Sequence, residues 1–228
     1  MLRSIKELIG KKLSALDGEI GPVKDFYFND QDWVVRYVVV DTGPWLSGQT
    51  VLISPHAFID FDAEGVSGGL NLTRKQIENS PPLEVHRPVS KQFQEEYYHY
   101  YGLSGYWEGD DVWGAQGEPT AQMQTSDAPK PSAHRDVPNP RSPDAHLRSA
   151  VAVTDYHIQT ATGTSGYVSD FLVDGKSWVI SQFVVELWDK EVSVSPKTVE
   201  RISYNESKIY MSITQPDILN ASDYHRQS

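Results

Sequence analysis

Residues 18–40 read GEIGPVKDFYFNDQDWVVRYVVV, and residues 163–185 read GTSGYVSDFLVDGKSWVISQFVV. Gly18, Gly21, Asp25 and Trp33 stand against Gly163, Gly166, Asp170 and Trp178, each pair 145 positions apart. Trp33-Val34-Val35 answers Trp178-Val179-Ile180, and Val38-Val39-Val40 answers Phe183-Val184-Val185. Past a connection shorter by four, the spacing becomes 141. Val51-Leu52-Ile53-Ser54-Pro55 then faces Val192-Ser193-Val194-Ser195-Pro196, and Leu72-Thr73 with Ile77 faces Ile213-Thr214 with Ile218. Glycines, apolar strand cores and turn residues recur. No set of nucleophiles, bases or metal ligands recurs with them.

The first copy predicts strands over 12–16, 21–28, 33–40, 51–54, 58–61 and 69–72. Asp17-Gly18 is a tight-turn pair, and Pro55 ends a strand because it cannot donate to a ladder. Trp33–Val40 is too apolar for simple alternation and reads as a central strand. Thr73 and Gln76 have capping-box spacing for a short helix. The second copy predicts strands over 152–158, 166–173, 178–186, 192–195, 199–203 and 208–213, then a helix opening at Thr214 with Pro216 in its first turn. Six short strands in so few residues favour a small closed barrel over a flat sheet with two open edges. The expected class is all-β: two small barrels in tandem, with short helices and a flexible linker. The expected division is a first barrel over 1–90, an aromatic-rich extension over 91–117, a Pro/Ser/Ala linker over 118–145 and a second barrel over 146–228. The linker is too polar to offset its ordering entropy.

Composition narrows the function. The 228 residues carry a net charge of −11 and no cysteine. Thiol catalysis, thiolate metal sites and disulfides are thereby excluded. Nucleic-acid binding is disfavoured, because the basic residues are scattered and a phosphate-binding surface needs them clustered. No apolar run is long enough for a membrane span. The N-terminus lacks the uninterrupted apolar core of a signal peptide, so a cytoplasmic location is expected.

The pattern resembles the PRC-barrel family, which includes the cytoplasmic domain of the photosynthetic reaction centre H subunit and the C-terminal domain of the ribosome maturation factor RimM. The likeness rests on Asp17 to Gly21, on Trp33 to Val40, and on Asp41-Thr42-Gly43-Pro44-Trp45-Leu46 leading to Val51–Pro55. In the second copy it rests on Gly163 to Gly166, Trp178 to Val185 and Val192 to Pro196, with Leu147-Arg148-Ser149-Ala150 as the approach. The resemblance implies a bacterial interaction or assembly module, not an enzyme, with no cofactor. It implies pairing of the two barrels within one chain or between two chains. Alternative readings are an accessory factor in RNA processing or ribosome maturation, and a soluble relative of the H subunit associated with a membrane electron-transfer complex.

Several side chains invite chemistry. Asp41-Thr42-Gly43 copies the aspartic-protease signature, which needs two carboxylates sharing a proton. The second copy has Glu186-Leu187-Trp188 there, so Asp41 is read as a turn residue that bonds its own backbone. The seven histidines form no metal-ligand spacing, and His99 lies inside a tyrosine run. Glu95-Glu96 and Glu108-Gly109-Asp110-Asp111 lack the spacing of a calcium loop and read as solvated acidic turns. The segment after the first copy holds Tyr97, Tyr98, Tyr100, Tyr101, Tyr106 and Trp107, a candidate partner-binding surface because such side chains offer large rigid contact area. A fold-back onto the first barrel's core is the competing reading.

Overall fold

The computed structural model describes residues 1–61, 67–81, 91–103, 105–106 and 146–225. The expected linker over 118–145 lies outside these residues. The first copy begins with a leader, β1 (Leu2–Ser4) and the one-turn helix α1 (Ile5–Leu8). Then come β2 (Lys12–Ala15), β3 (Gly18–Asn29), β4 (Val34–Asp41), β5 (Thr50–Ile53), β6 (Phe58–Phe61), β7 (Ser67–Leu70) and helix α2 (Arg74–Glu78). Helix α3 (Lys91–Tyr100) follows the first copy. The second copy repeats the order as β8 (Leu147–Ser149), α4 (Ala150–Val153), β9 (His157–Thr160), β10 (Gly163–Asp174), β11 (Ile180–Glu186), β12 (Glu191–Val194), β13 (Val199–Ser203), β14 (Lys208–Met211) and α5 (Gln215–Leu219).

The protein is all-β, with two barrel-like sheets of seven strands each. One runs β5-β4-β3-β2-β7-β6, the other β12-β11-β10-β9-β14-β13. Each sheet contains one parallel pairing, β2 on β7 with Lys12 opposite Ser67, and β9 on β14 with His157 opposite Lys208. The seventh strand of each sheet is a leader from the other copy: β1 pairs with β10, and β8 pairs with β3. The compact units therefore do not follow the copies. One unit gathers Met1–Leu8, Asp25–Val35 and Arg148–Ser228; the other holds Ile9–Lys24 and Arg36–Leu147.

Local sequence explains most elements. In β4 every residue from Val34 to Val40 is buried, as expected of a strand covered on both faces. Thr73 and Gln76 close the expected capping box, with the Thr73 N–H donating to Gln76 Oε1 at 2.8 Å. The expected strand over 152–158 is half helix. The Ser149 hydroxyl accepts from the Ala152 N–H at 2.9 Å and so caps one turn over Ala150–Val153, and the strand starts only at His157.

The repeated second glycine has a steric cause. A Cβ on Gly21 would lie 1.9 Å from the carbonyl oxygen of Asp41. One on Gly166 would lie 2.2 Å from that of Glu186. Both residues have positive φ, 149° and 63°. The obstacle is backbone in each case, so it cannot rotate away. Gly21→Ala and Gly166→Ala are each expected to cost about 3 kcal/mol or more of stability, read by denaturant unfolding; a cost below about 1 kcal/mol contradicts the close approach.

Candidate interaction site

The tyrosine-rich segment turns mostly inward. Tyr97, Tyr98 and Tyr101 are 1–2% exposed, Tyr106 is buried, and Tyr100 is half-buried. Trp107 lies outside the described residues. The Tyr97 hydroxyl accepts from the Ser54 N–H at 2.8 Å and donates to the Leu52 carbonyl at 3.2 Å, which fixes α3 to the end of β5. Tyr100 donates to the Gln76 carbonyl at 2.9 Å, and Tyr106 to Gln94 Oε1 at 2.6 Å. The rings pack on Tyr37, whose centroid is 5.3 Å from that of Tyr97, edge to face.

What these rings cover is Arg36. It is 0% exposed in the middle of β4, and its guanidinium carbon lies 3.9 Å from the Tyr106 ring centroid. A strand that carries Arg36-Tyr37 on its way through a core needs an amphipathic cover. The second copy has Ser181-Gln182 at those positions, and Ser181 is exposed. It needs no such cover. Beside Arg36, His56 is 5% exposed and its Nδ1 lies 3.0 Å from the Ser54 hydroxyl. Burial, helped by the Arg36 charge, lowers its pKa to about 4.

Asp41 serves its turn: Oδ1 accepts the Gly43 N–H at 2.9 Å, and Lys24 Nζ is 3.4 Å from Oδ2. These contacts, the backbone bond foremost, hold its carboxyl below the usual range. His99, His146, His157 and His225 are exposed. Among the described residues no three His, Asp or Glu side chains gather in a way that holds a metal ion. Glu95 is half-buried and Glu96 exposed, while Glu108 to Asp111 lie outside the described residues.

The repeated aspartates do different work. Asp170 is 2% exposed and accepts three hydrogens: the Ser4 hydroxyl, the Lys6 N–H at 3.0 Å and the Phe171 N–H at 2.7 Å. Asp25 accepts the Ser149 hydroxyl, the Val151 N–H at 3.0 Å and the Phe26 N–H at 2.7 Å. The donors correspond one for one. Ile5 and Leu8 of one leader are buried, and so are Ala150 and Val153 of the other. Burial raises the Asp25 pKa, opposed by the bonds from Ser149 and Val151. A further pair of reciprocal bonds lies beyond the turns: Val35 N–H to the Trp178 carbonyl at 2.9 Å, and Ile180 N–H to the Trp33 carbonyl at 2.7 Å. Both tryptophans are buried at positive φ, 59° and 58°. Sequence reasoning noticed Asp25 and Asp170 but not their partners. The signal was available, since Leu2-Arg3-Ser4 and Leu147-Arg148-Ser149 share the offset of 145.

Residues 2–68 match the family model of the PRC-barrel domain. The first copy is a PRC-barrel domain. The match takes in the leader, Asp25, Trp33 and the Asp41 turn. The second PRC-type copy repeats the same elements in the same order. No curated protein matches the chain.

Two measurements check this geometry. Tyr97→Phe strands the buried Ser54 N–H and is expected to cost about 1–3 kcal/mol of stability, against little for Tyr100→Phe. His56 carries a depressed folded pKa, so its contribution is complete above its unfolded value near 6.5 and is lost as the pH falls through about 4. Its share of the stability at pH 4.5 should be about 2–3 kcal/mol below that at pH 7. His56→Asn should flatten the curve by that amount in denaturant unfolding at the two pH values; an unchanged curve rejects the depressed pKa.

Proposed function

We propose that this PRC-barrel chain is a non-catalytic module for protein interaction and assembly. The observation that carries the reading is how the repeated polar residues are used. Asp25 and Asp170 each spend their acceptor capacity on a leader segment and an adjacent backbone N–H. Asp41 is engaged by its own turn and by Lys24. A catalyst needs at least one group aimed at substrate, whereas these are aimed at backbone and serine.

The surface supplies a different resource. Trp188, on the hairpin between β11 and β12, is 104% exposed. Beside it lies a shallow recess lined by Lys6, Glu186, Leu187 and Glu191. A solvated indole at a hairpin tip is the kind of anchor that dominates binding energy at protein interfaces. Among the described residues of the tyrosine-rich segment, Glu96, His99 and Gly102 are exposed, and Glu95 and Tyr100 are half-buried. Among the described residues, contact with a partner there runs through these exposed positions, with Tyr97, Tyr98 and Tyr101 holding the helix in place. An RNA-directed role has the net charge of −11 against it. Among the described residues no helix is long and apolar enough to cross a membrane.

The test is retention of partners from the native host on the immobilised full chain, run beside Trp188→Ser. The expected result is a protein held by the first and lost from the second at unchanged thermal stability. Turnover of a substrate that disappears when one polar side chain is changed would overturn the reading.

A further inference from the structure

The connection that carries Trp188 differs from its counterpart in what holds it. In the first copy the connection between β4 and β5 bears Trp45 just after Asp41, and the chain supplies a cation to each. Lys24 Nζ lies 3.4 Å from Asp41 Oδ2. The Arg74 guanidinium carbon lies 4.4 Å from the centroid of the Trp45 ring, whose Nε1 also donates to the Ile20 carbonyl at 2.6 Å. Trp45 is accordingly half-buried.

In the second copy Glu186 stands where Asp41 does, and Trp188 follows it in the connection shortened by four. Both cations are gone. Lys24 is answered by Ser169 at the offset of 145, and Arg74 by Gln215 at the offset of 141. The second match holds in space as well. The Arg74 N–H donates to Asp17 at 2.7 Å and the Gln215 N–H to Thr162 Oγ1 at 2.9 Å, and Asp17 and Thr162 are themselves 145 apart. Ser169 gives its hydroxyl to Glu191 at 3.0 Å, and Glu186 is bonded by the neutral Tyr167 hydroxyl. Trp188, at 104% exposure, carries no group over either face among the described residues.

The recess beside the indole is acidic. Glu186, Asp189 and Glu191 line it with Lys6 and Lys190, and Lys190 is paired with Asp223 at 2.9 Å. An acid and an indole that own cations hold in one copy are thus present in the other with those cations replaced by neutral residues. The missing partner is positive. A phosphate-bearing surface is repelled here, and a second copy of this chain brings a net charge of −11 to the same rim. A planar guanidinium, unlike an ammonium, stacks on a ring and at the same time presents a fork of donors to a carboxylate.

We infer that the recess beside Trp188 receives an arginine from a basic segment of a partner protein, the guanidinium lying on the indole within reach of the Glu186 and Asp189 carboxylates. The inference rests on the assembly reading for Trp188 as an anchor and adds the chemistry of what it holds.

The test uses the full chain with capped triarginine as the probe. The indole N–H signal of Trp188 is identified in NMR spectra by its absence from Trp188→Ser. Triarginine at low salt is expected to move this signal saturably. Capped tricitrulline, a neutral analogue of the same shape, should leave it in place, and capped trilysine should bind several-fold more weakly. Fluorescence anisotropy of labelled triarginine reads affinity across variants. Trp188→Ser should weaken binding about tenfold, and Glu186→Gln with Asp189→Asn by a similar factor. Glu78→Gln with Glu200→Gln, the same charge change at exposed acids outside the recess, should not. An unmoved indole signal, equal binding of tricitrulline or trilysine, or full affinity in Trp188→Ser would overturn the inference. A host protein held through Trp188 by a chain that leaves triarginine unbound would sink this inference and spare the assembly reading. Triarginine bound by a chain that retains no host protein would do the reverse.

Discussion

A buried carboxylate that accepts three hydrogens is the constraint on which the rest of one unit depends. Asp170 sits at 2% exposure, where an unpaired charge would be prohibitive. Its own neighbour, the Phe171 N–H, supplies one donor. The other two come from a segment more than 160 residues away in sequence, Ser4 and Lys6. Satisfying Asp170 therefore fixes the leader, and fixing the leader closes the edge of β10. The same logic holds at Asp25 with Ser149 and Val151. Burial pushes the Asp25 pKa up while these donors pull it down. The polar contact sets which segment docks; the apolar side chains Ile5, Leu8, Ala150 and Val153 supply most of the area that leaves water.

The copies differ where one residue differs. Val34–Val40 and Ile180–Glu186 are equivalent strands, yet Arg36 is wholly buried and Ser181 exposed. A guanidinium inside a core needs aromatic faces and hydrogen-bond acceptors around it. Tyr106 supplies an aromatic face over Arg36, and the Tyr37–Tyr97 edge contact and the Tyr97 hydroxyl on the β5 backbone hold the aromatic segment in place.

Most of this architecture was legible. Glycine pairs, β-branched runs and proline stops give the strands to within a few residues, because those signals act locally. The leaders were not legible as strands. Three residues carry too little periodicity to score, and their partner strands lie in the other copy. The turn at Ala150–Val153 was missed for a related reason: two valines read as strand, while the Ser149 cap that starts the helix is a single hydroxyl. At the candidate site, the tyrosines were read both as surface and as core. Side-chain type does not separate those cases. The deciding residue, Arg36, is a single polar position inside the apolar run Trp33–Val40, and its need for a cover leaves no local signal.

The offset of 145 is informative beyond the fold. When a unit is duplicated, positions that serve only its own packing can drift apart in pairs, as Arg36 and Ser181 have done. The latch residues match in both copies although donor and acceptor lie in different copies: Ser4 meets Asp170, and Ser149 meets Asp25. Such a crossed arrangement is self-complementary in the sense of an isologous interface, where a surface meets its own equivalent. A single unit with one leader and one receptor cannot satisfy itself in the geometry seen here, since each leader lies on the strand of the other copy. Each joint links one copy to the other, and both joints lie within the same compact unit.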